Sequence, residues 1–139
     1  MSRPLYESPD NREAEEAIAH AIKLTWKCMV KKLPIRYEID FALVREEVVA
    51  LAEIKRRYHR FGEYETYMIS LGKVAKANSL TLPCFVVVGW NDCIKWASLT
   101  NETPSKIEWG GRTDRKDWQD EEPCAHYPIE IFKPLMEVK

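Results

Sequence analysis

The order of apolar patterns along the chain predicts an α/β fold, a central mixed sheet of four or five strands flanked by helices in the order α-β-β-α-β-β. Three observations carry this. Ala14, Ile18, Ala21, Ile22, Thr25 and Trp26 recur at three- and four-residue steps, the stripe of an amphipathic helix. Two apolar, β-rich runs, Ile35 to Val44 and Val48 to Ile54, are separated by the polar Arg45-Glu46-Glu47 and form a hairpin. Pro83 to Trp90 is a continuous apolar run of the kind found in a strand covered on both faces, and Cys93 to Leu99 pairs with it across Asn91-Asp92.

Taken in order, a short lead-in gives way to the first helix at about Asn11, whose acidic first turn meets the positive end of the helix dipole and which Pro34 stops. A second amphipathic helix is expected from Gly62 to Asn78, with Tyr64, Met68, Leu71, Ala75 and Asn78 on one face. Residues 100–123 turn to Asn, Thr, Pro, Gly and Asp and predict a long polar loop, in which Trp109, Arg112, Arg115 and Trp118 could reach a groove or single strand. Residues 124–139 form a C-terminal extension in which Tyr127 to Phe132 alternates as a strand.

The chain of 139 residues, 45% hydrophobic and 31% charged, is sized for a single domain with its own core and excludes collagenous or wholly disordered classes. No apolar run approaches the ~20 residues of a membrane span, and no apolar stretch follows Met1, so an intracellular (cytoplasmic) protein with no membrane partner is expected. With 21 basic against 22 acidic residues the net charge is −1, which excludes a globally basic coat and leaves room for a local basic face. Cys28, Cys84, Cys93 and Cys124 form no C-x-x-C pair and suit buried reduced thiols. A zinc site at Cys124 and His126 lacks two further ligands at suitable spacing.

The polar residues of the first hairpin are out of keeping with their surroundings. Asp40 sits between Ile39 and Phe41, and Glu53 and Lys55 close an apolar strand. Strand alternation points Glu53 and Lys55 to one face, where an antiparallel partner brings Asp40 beside them. Two carboxylates sharing a site repel, and the arrangement asks for a cation between them. Mg2+, or Mn2+, with its preference for oxygen ligands, is the natural occupant, and it lowers the pKa of a bound water.

Ile39-Asp40 followed by Glu53-Ile54-Lys55 on the next strand resembles the signature of the PD-(D/E)XK nuclease superfamily, with its restriction-endonuclease-like or Holliday-junction-resolvase-like core. The resemblance covers about residues 12–99, with Ile39 in place of the motif's proline. It implies Asp40 and Glu53 as ligands of a divalent metal, the Ile54 backbone carbonyl as a further ligand, and Lys55 as the catalytic lysine. A glutamate of the first helix often joins them; Glu15, which shares the inward face of Ile18 and Ile22, fits best, with Glu16 as the fallback.

Lys55, Arg56, Arg57, His59 and Arg60 form a local excess of positive charge on which a phosphodiester backbone would dock, and Lys73 and Lys76 could extend the track. His20 and His59 are not needed as general bases. The expected function is metal-dependent hydrolysis of phosphodiester bonds, in DNA and selective for branches, flaps or ends, by a chain that could pair as a homodimer. The alternatives are a catalytically inactive nucleic-acid-binding domain of the same fold, and a partner-binding domain in which Glu53 and Lys55 are an ordinary ion pair.

Overall fold

The computed structural model describes residues 9–34, 39–111 and 121–135. Helix α1 (Pro9–Trp26) leads into β1 (Met29–Lys32), β2 (Phe41–Arg45) and β3 (Glu47–Arg56). Strand β4 (Thr66–Ser70) runs directly into α2 (Leu71–Ser79), followed by β5 (Cys84–Gly89) and β6 (Ile94–Ser98). Strands β7 (Lys106–Gly111) and β8 (Glu121–Pro128), a 3-10 turn at Ile129–Ile131 and β9 (Lys133–Pro134) complete the order. Among the described residues the central sheet has six strands in the order β1-β2-β3-β5-β6-β9, and a second, three-stranded sheet runs β4-β8-β7.

The mixed α/β character stands, with differences in detail. The central sheet is mixed because β3 and β5 run parallel, Glu53 lying opposite Val86 and Lys55 opposite Val88, while its other neighbours are antiparallel. The sheet is wider than the expected four or five strands. The first helix ends at Trp26, well before Pro34, because Lys27 takes a positive φ of 54° and turns the chain into β1. Glu46, at φ 53°, makes the tight β2–β3 turn.

The segment read as one helix from Gly62 to Asn78 is strand then helix. In β4 the apolar period is two, with Tyr67 and Ile69 buried and Met68 exposed. Ser70 accepts a hydrogen bond from the Gly72 amide at 3.1 Å and starts α2. The helix buries Val74 and Ala77 rather than Ala75 and Asn78. Asn78 instead ties the helix end to β6, donating to the carbonyls of Val74 and Leu99 and accepting from the Asn101 amide.

The expected polar loop of residues 100–123 contains β7, which pairs antiparallel with β8. Its side chains from Lys106 to Trp109 are exposed, so the antiparallel ladder with β8 carries most of its attachment and no burial pattern marks it in the sequence. Trp109 stands open at 66% exposure, while Arg112, Arg115 and Trp118 lie outside the described residues. The strand expected at Tyr127 to Phe132 is the end of β8 followed by the 3-10 turn.

Two apolar layers follow from strand alternation. On one face Ile18 and Ile22 of α1 pack on Phe41, Ala52, Ile54 and Val87. On the other, Val86 and Val88 meet α2 and the second sheet through Val74, Ala77, Tyr67 and Tyr127. Ile22 is fully buried, and Ile22→Ala is expected to cost about 2–5 kcal/mol of stability, read by urea unfolding, through lost burial and a residual cavity. All four cysteines are free thiols, and Cys28, Cys84 and Cys124 are buried. Among the described residues no helix is long and apolar enough to cross a membrane.

Candidate active site

Glu53 is the buried charged residue of the core, with its side chain fully removed from solvent. Strand β3 forces this: Ala52 and Ile54 face α1, so Glu53 faces the layer made by α2 and the second sheet. The antiparallel register of Phe41 with Ala52 places Asp40, one residue before β2, alongside Glu53. Its charge is felt there, since Asp40 adds to the rise in the Glu53 pKa.

Two ammonium groups answer the carboxylate. Lys55 Nζ lies 3.5 Å from Glu53 Oε2, as the E-x-K spacing on one strand face requires. Lys73 Nζ, from the first turn of α2, is closer at 2.8 Å. Their side chains are 35% and 26% exposed, so both amines reach the surface from a fully buried partner. Glu53 Oε1 is buried and takes no hydrogen bond among the described residues. An orphaned carboxylate oxygen in a dry setting costs free energy, and a cation is what relieves it.

Burial pushes the Glu53 carboxyl above its ordinary 4.5, and the charges of Lys55 and then Lys73 only partly oppose this. A pKa raised in the folded state gives a stabilising contribution that is complete below the unfolded value and is lost as pH rises through the folded one. In EDTA the wild type should therefore lose melting temperature relative to Glu53→Gln as pH rises above the ordinary carboxylate range. Identical pH profiles for the two proteins would contradict this.

The remaining basic residues divide by face. Arg57, on the face of Glu53 and Lys55, donates to the Tyr67 hydroxyl at 3.2 Å and lies over that ring. Burial pushes Tyr67 up to about 12, with Arg57 opposing, so its hydroxyl stays protonated. Arg56 points to the other face, donating to Gly89 O at 3.1 Å and Asn91 Oδ1 at 2.9 Å. Arg60 is 3.6 Å from Asp92, whose carboxyl is held below its ordinary range first by the Phe61 amide. Arg56 and Arg60 thus brace the β5–β6 turn.

Glu15 lies on α1, which covers the sheet face opposite Glu53, and its carboxylate is 3.5 Å from Lys32 of β1. Among the described residues no three His, Cys, Asp or Glu side chains converge as a metal-binding group, so Glu15 does not complete one with Asp40 and Glu53. Cys124 and His126 likewise belong to no such group. The donors that a divalent cation would use here are the carboxylates of Asp40 and Glu53, with Glu53 Oε1 taking no hydrogen bond among the described residues. Mg2+ commonly takes one or two carboxylates and fills its octahedron with water and substrate phosphate.

The pairing of Lys73 with Glu53 is not contained in helical spacing. On spacing Lys73 is a flank lysine, and only the shortening of α2 and the insertion of β4 turn it toward Glu53.

A mixed sheet carrying an aspartate at the head of one strand and a buried E-x-K on its hairpin partner is consistent with a PD-(D/E)XK-like fold. The family model described as "Phage putative PDDEXK endonuclease" matches residues 1–135, and the chain belongs to that family. Comparison with curated proteins gives no match.

Proposed function

We propose that this chain is a divalent-metal-dependent nuclease that hydrolyses phosphodiester bonds in DNA, selecting branched, flapped or terminal structures. The observation that carries the reading is Glu53: fully buried, with two lysines near one oxygen, no hydrogen bond to the other among the described residues, and Asp40 alongside. A purely structural ion pair does not need a second carboxylate drawn against the first.

Asp40, Glu53 and the Ile54 carbonyl would hold Mg2+ or Mn2+, which when bound supplies a Lewis acid and a water of lowered pKa. Lys55 extends from the buried carboxylate to the surface, where its ammonium can meet the charge that builds on the phosphoryl oxygens as water attacks phosphorus in line and the opposite P–O bond breaks. Lys73 opposes the burial that favours a neutral Glu53 and fixes the carboxylate beneath it. Arg57, farther along the same face, is placed to take a neighbouring phosphate.

The test is incubation of the chain with linear, nicked, flapped and four-way DNA in Mg2+ or Mn2+. Cleavage of at least one substrate, abolished by EDTA, is the expected result. The two lysines that already balance the two acids favour a second reading, a nucleic-acid binder without turnover. Salt-sensitive binding with no cleavage in either metal would establish that second reading instead.

A further inference from the structure

Beyond Lys55 the face of β3 that carries Glu53 leads to Arg57, and Arg57 borders a pocket of about 360 Å3 between the loop after β3 and the second sheet. We propose that this pocket receives a single unpaired nucleobase of the DNA strand whose backbone crosses the acidic site, which makes the substrate one with a single-stranded end, flap or gap. The inference rests on the nuclease reading and adds to it what the enzyme recognises.

The lining has the chemistry of a base site. Tyr64 is 58% exposed and lines the pocket with His59, the two rings perpendicular with centroids 4.8 Å apart, so aromatic surface borders the space a planar group would enter. Met68 is also open, at 42%, and offers a polarisable contact. The polar group at the margin is the Arg57 guanidinium, braced on Tyr67; His126 also lines the pocket, but its Nδ1 is 3.0 Å from Thr66 Oγ1 and its buried Nε2 lies 3.6 Å from the Glu108 carboxylate. Apolar and aromatic walls with a few donors and acceptors at the edge suit a flat heteroaromatic ring. A phosphate alone would not use the rings, and the volume admits a nucleotide but not a paired duplex.

The distance also fits. Arg57, the residue after β3, lies two past Lys55 and four past Glu53 along extended chain, which at the strand rise of ~3.3 Å places it about 7 Å and about 13 Å away, the span of a nucleotide or two. A strand bound at the acids therefore delivers an adjacent base to the pocket, provided that base is unpaired, since a stacked and paired base must be extruded at a cost of a few kcal/mol.

The experiment compares overhang duplexes, of either polarity, that carry a normal base or an abasic residue at the first unpaired position, binding the full chain in EDTA and read by fluorescence anisotropy. The backbone charge is identical, so the ratio reports the base alone. For one polarity the wild type should bind the base-bearing DNA about tenfold more tightly. Tyr64→Ala, at an exposed position, should bring the ratio to one, and Tyr64→Phe should retain it. Equal affinities in the wild type, a preference that survives Tyr64→Ala, or its loss in Tyr64→Phe would overturn the proposal. Cleavage by the wild type in Mg2+ or Mn2+ is scored in parallel: cleavage without a base preference removes the pocket and leaves the nuclease, and a base preference without cleavage removes the nuclease and leaves the pocket.

Discussion

Glu53→Gln should lower metal-dependent cleavage by about 10^3-fold or more, which corresponds to about 4 kcal/mol of lost transition-state stabilisation. The amide keeps the shape of the side chain and removes its charge, so the loss reports the electrostatic task and not packing. It should not be accompanied by unfolding. The wild-type carboxylate is fully buried and burial raises its pKa, so a neutral isostere at neutral pH relieves a desolvation cost while giving up the ion pairs with Lys55 and Lys73. A melting temperature that rises with Mn2+ in the wild type and stays flat in Glu53→Gln would tie the loss to the cation. Cleavage that persists in Glu53→Gln would remove this carboxylate from the chemistry.

The second large effect separates the two lysines. Lys55→Ala should lower cleavage by about 10^2 to 10^3-fold, because its ammonium is the one that extends from the E-x-K strand to where a phosphoryl group would lie. Lys73→Met should act first on stability. It removes the closer partner of a buried carboxylate, 2.8 Å away, and about 2 kcal/mol should be lost near pH 8, less than the full cost of orphaning a buried ion because Lys55 remains and Glu53 can take up a proton. The loss should shrink in acid, where Glu53 is protonated, and in the Glu53→Gln background, where there is no charge left to orphan. Urea unfolding of the four proteins of that cycle measures the coupling. Additive effects would mean that Lys73 and Glu53 do not share an interaction.

How far the sequence discloses this arrangement depends on which physical signal each element carries. The β2–β3 hairpin and the β5–β6 hairpin were legible because both faces of β3 and β5 are covered, and strands of that kind are written as apolar runs, here interrupted at Glu53 and Lys55. Asp40 was legible from the same logic, since an acid among Ile39 and Phe41 has no structural excuse. Strand β4 was not, because Tyr64, Met68 and Leu71 happen to fall at helical spacing, and only the contacts of Tyr67 and Ile69 with β5 and β8 decide that the period is two. Edge strands β1 and β7 are mostly exposed and are held by their neighbours' backbones, so no alternation of burial marks them. The consequence reaches the site: helical spacing carried through Gly62 does not disclose that Lys73 pairs with Glu53, a contact set by where β4 ends and α2 begins. Glu15 shows the converse. It does lie on the helix that carries Ile18 and Ile22, but that helix covers the sheet face away from Glu53, a relation between layers that helical spacing does not contain.

The central claim is that Asp40 and Glu53 together hold a divalent cation, and Mn2+ binding followed by electron paramagnetic resonance tests it most directly. The wild type should show a saturable site that Mg2+ displaces, and both Asp40→Asn and Glu53→Gln should abolish it. A site of unchanged affinity in both variants, or no saturable site in the wild type, would contradict the claim.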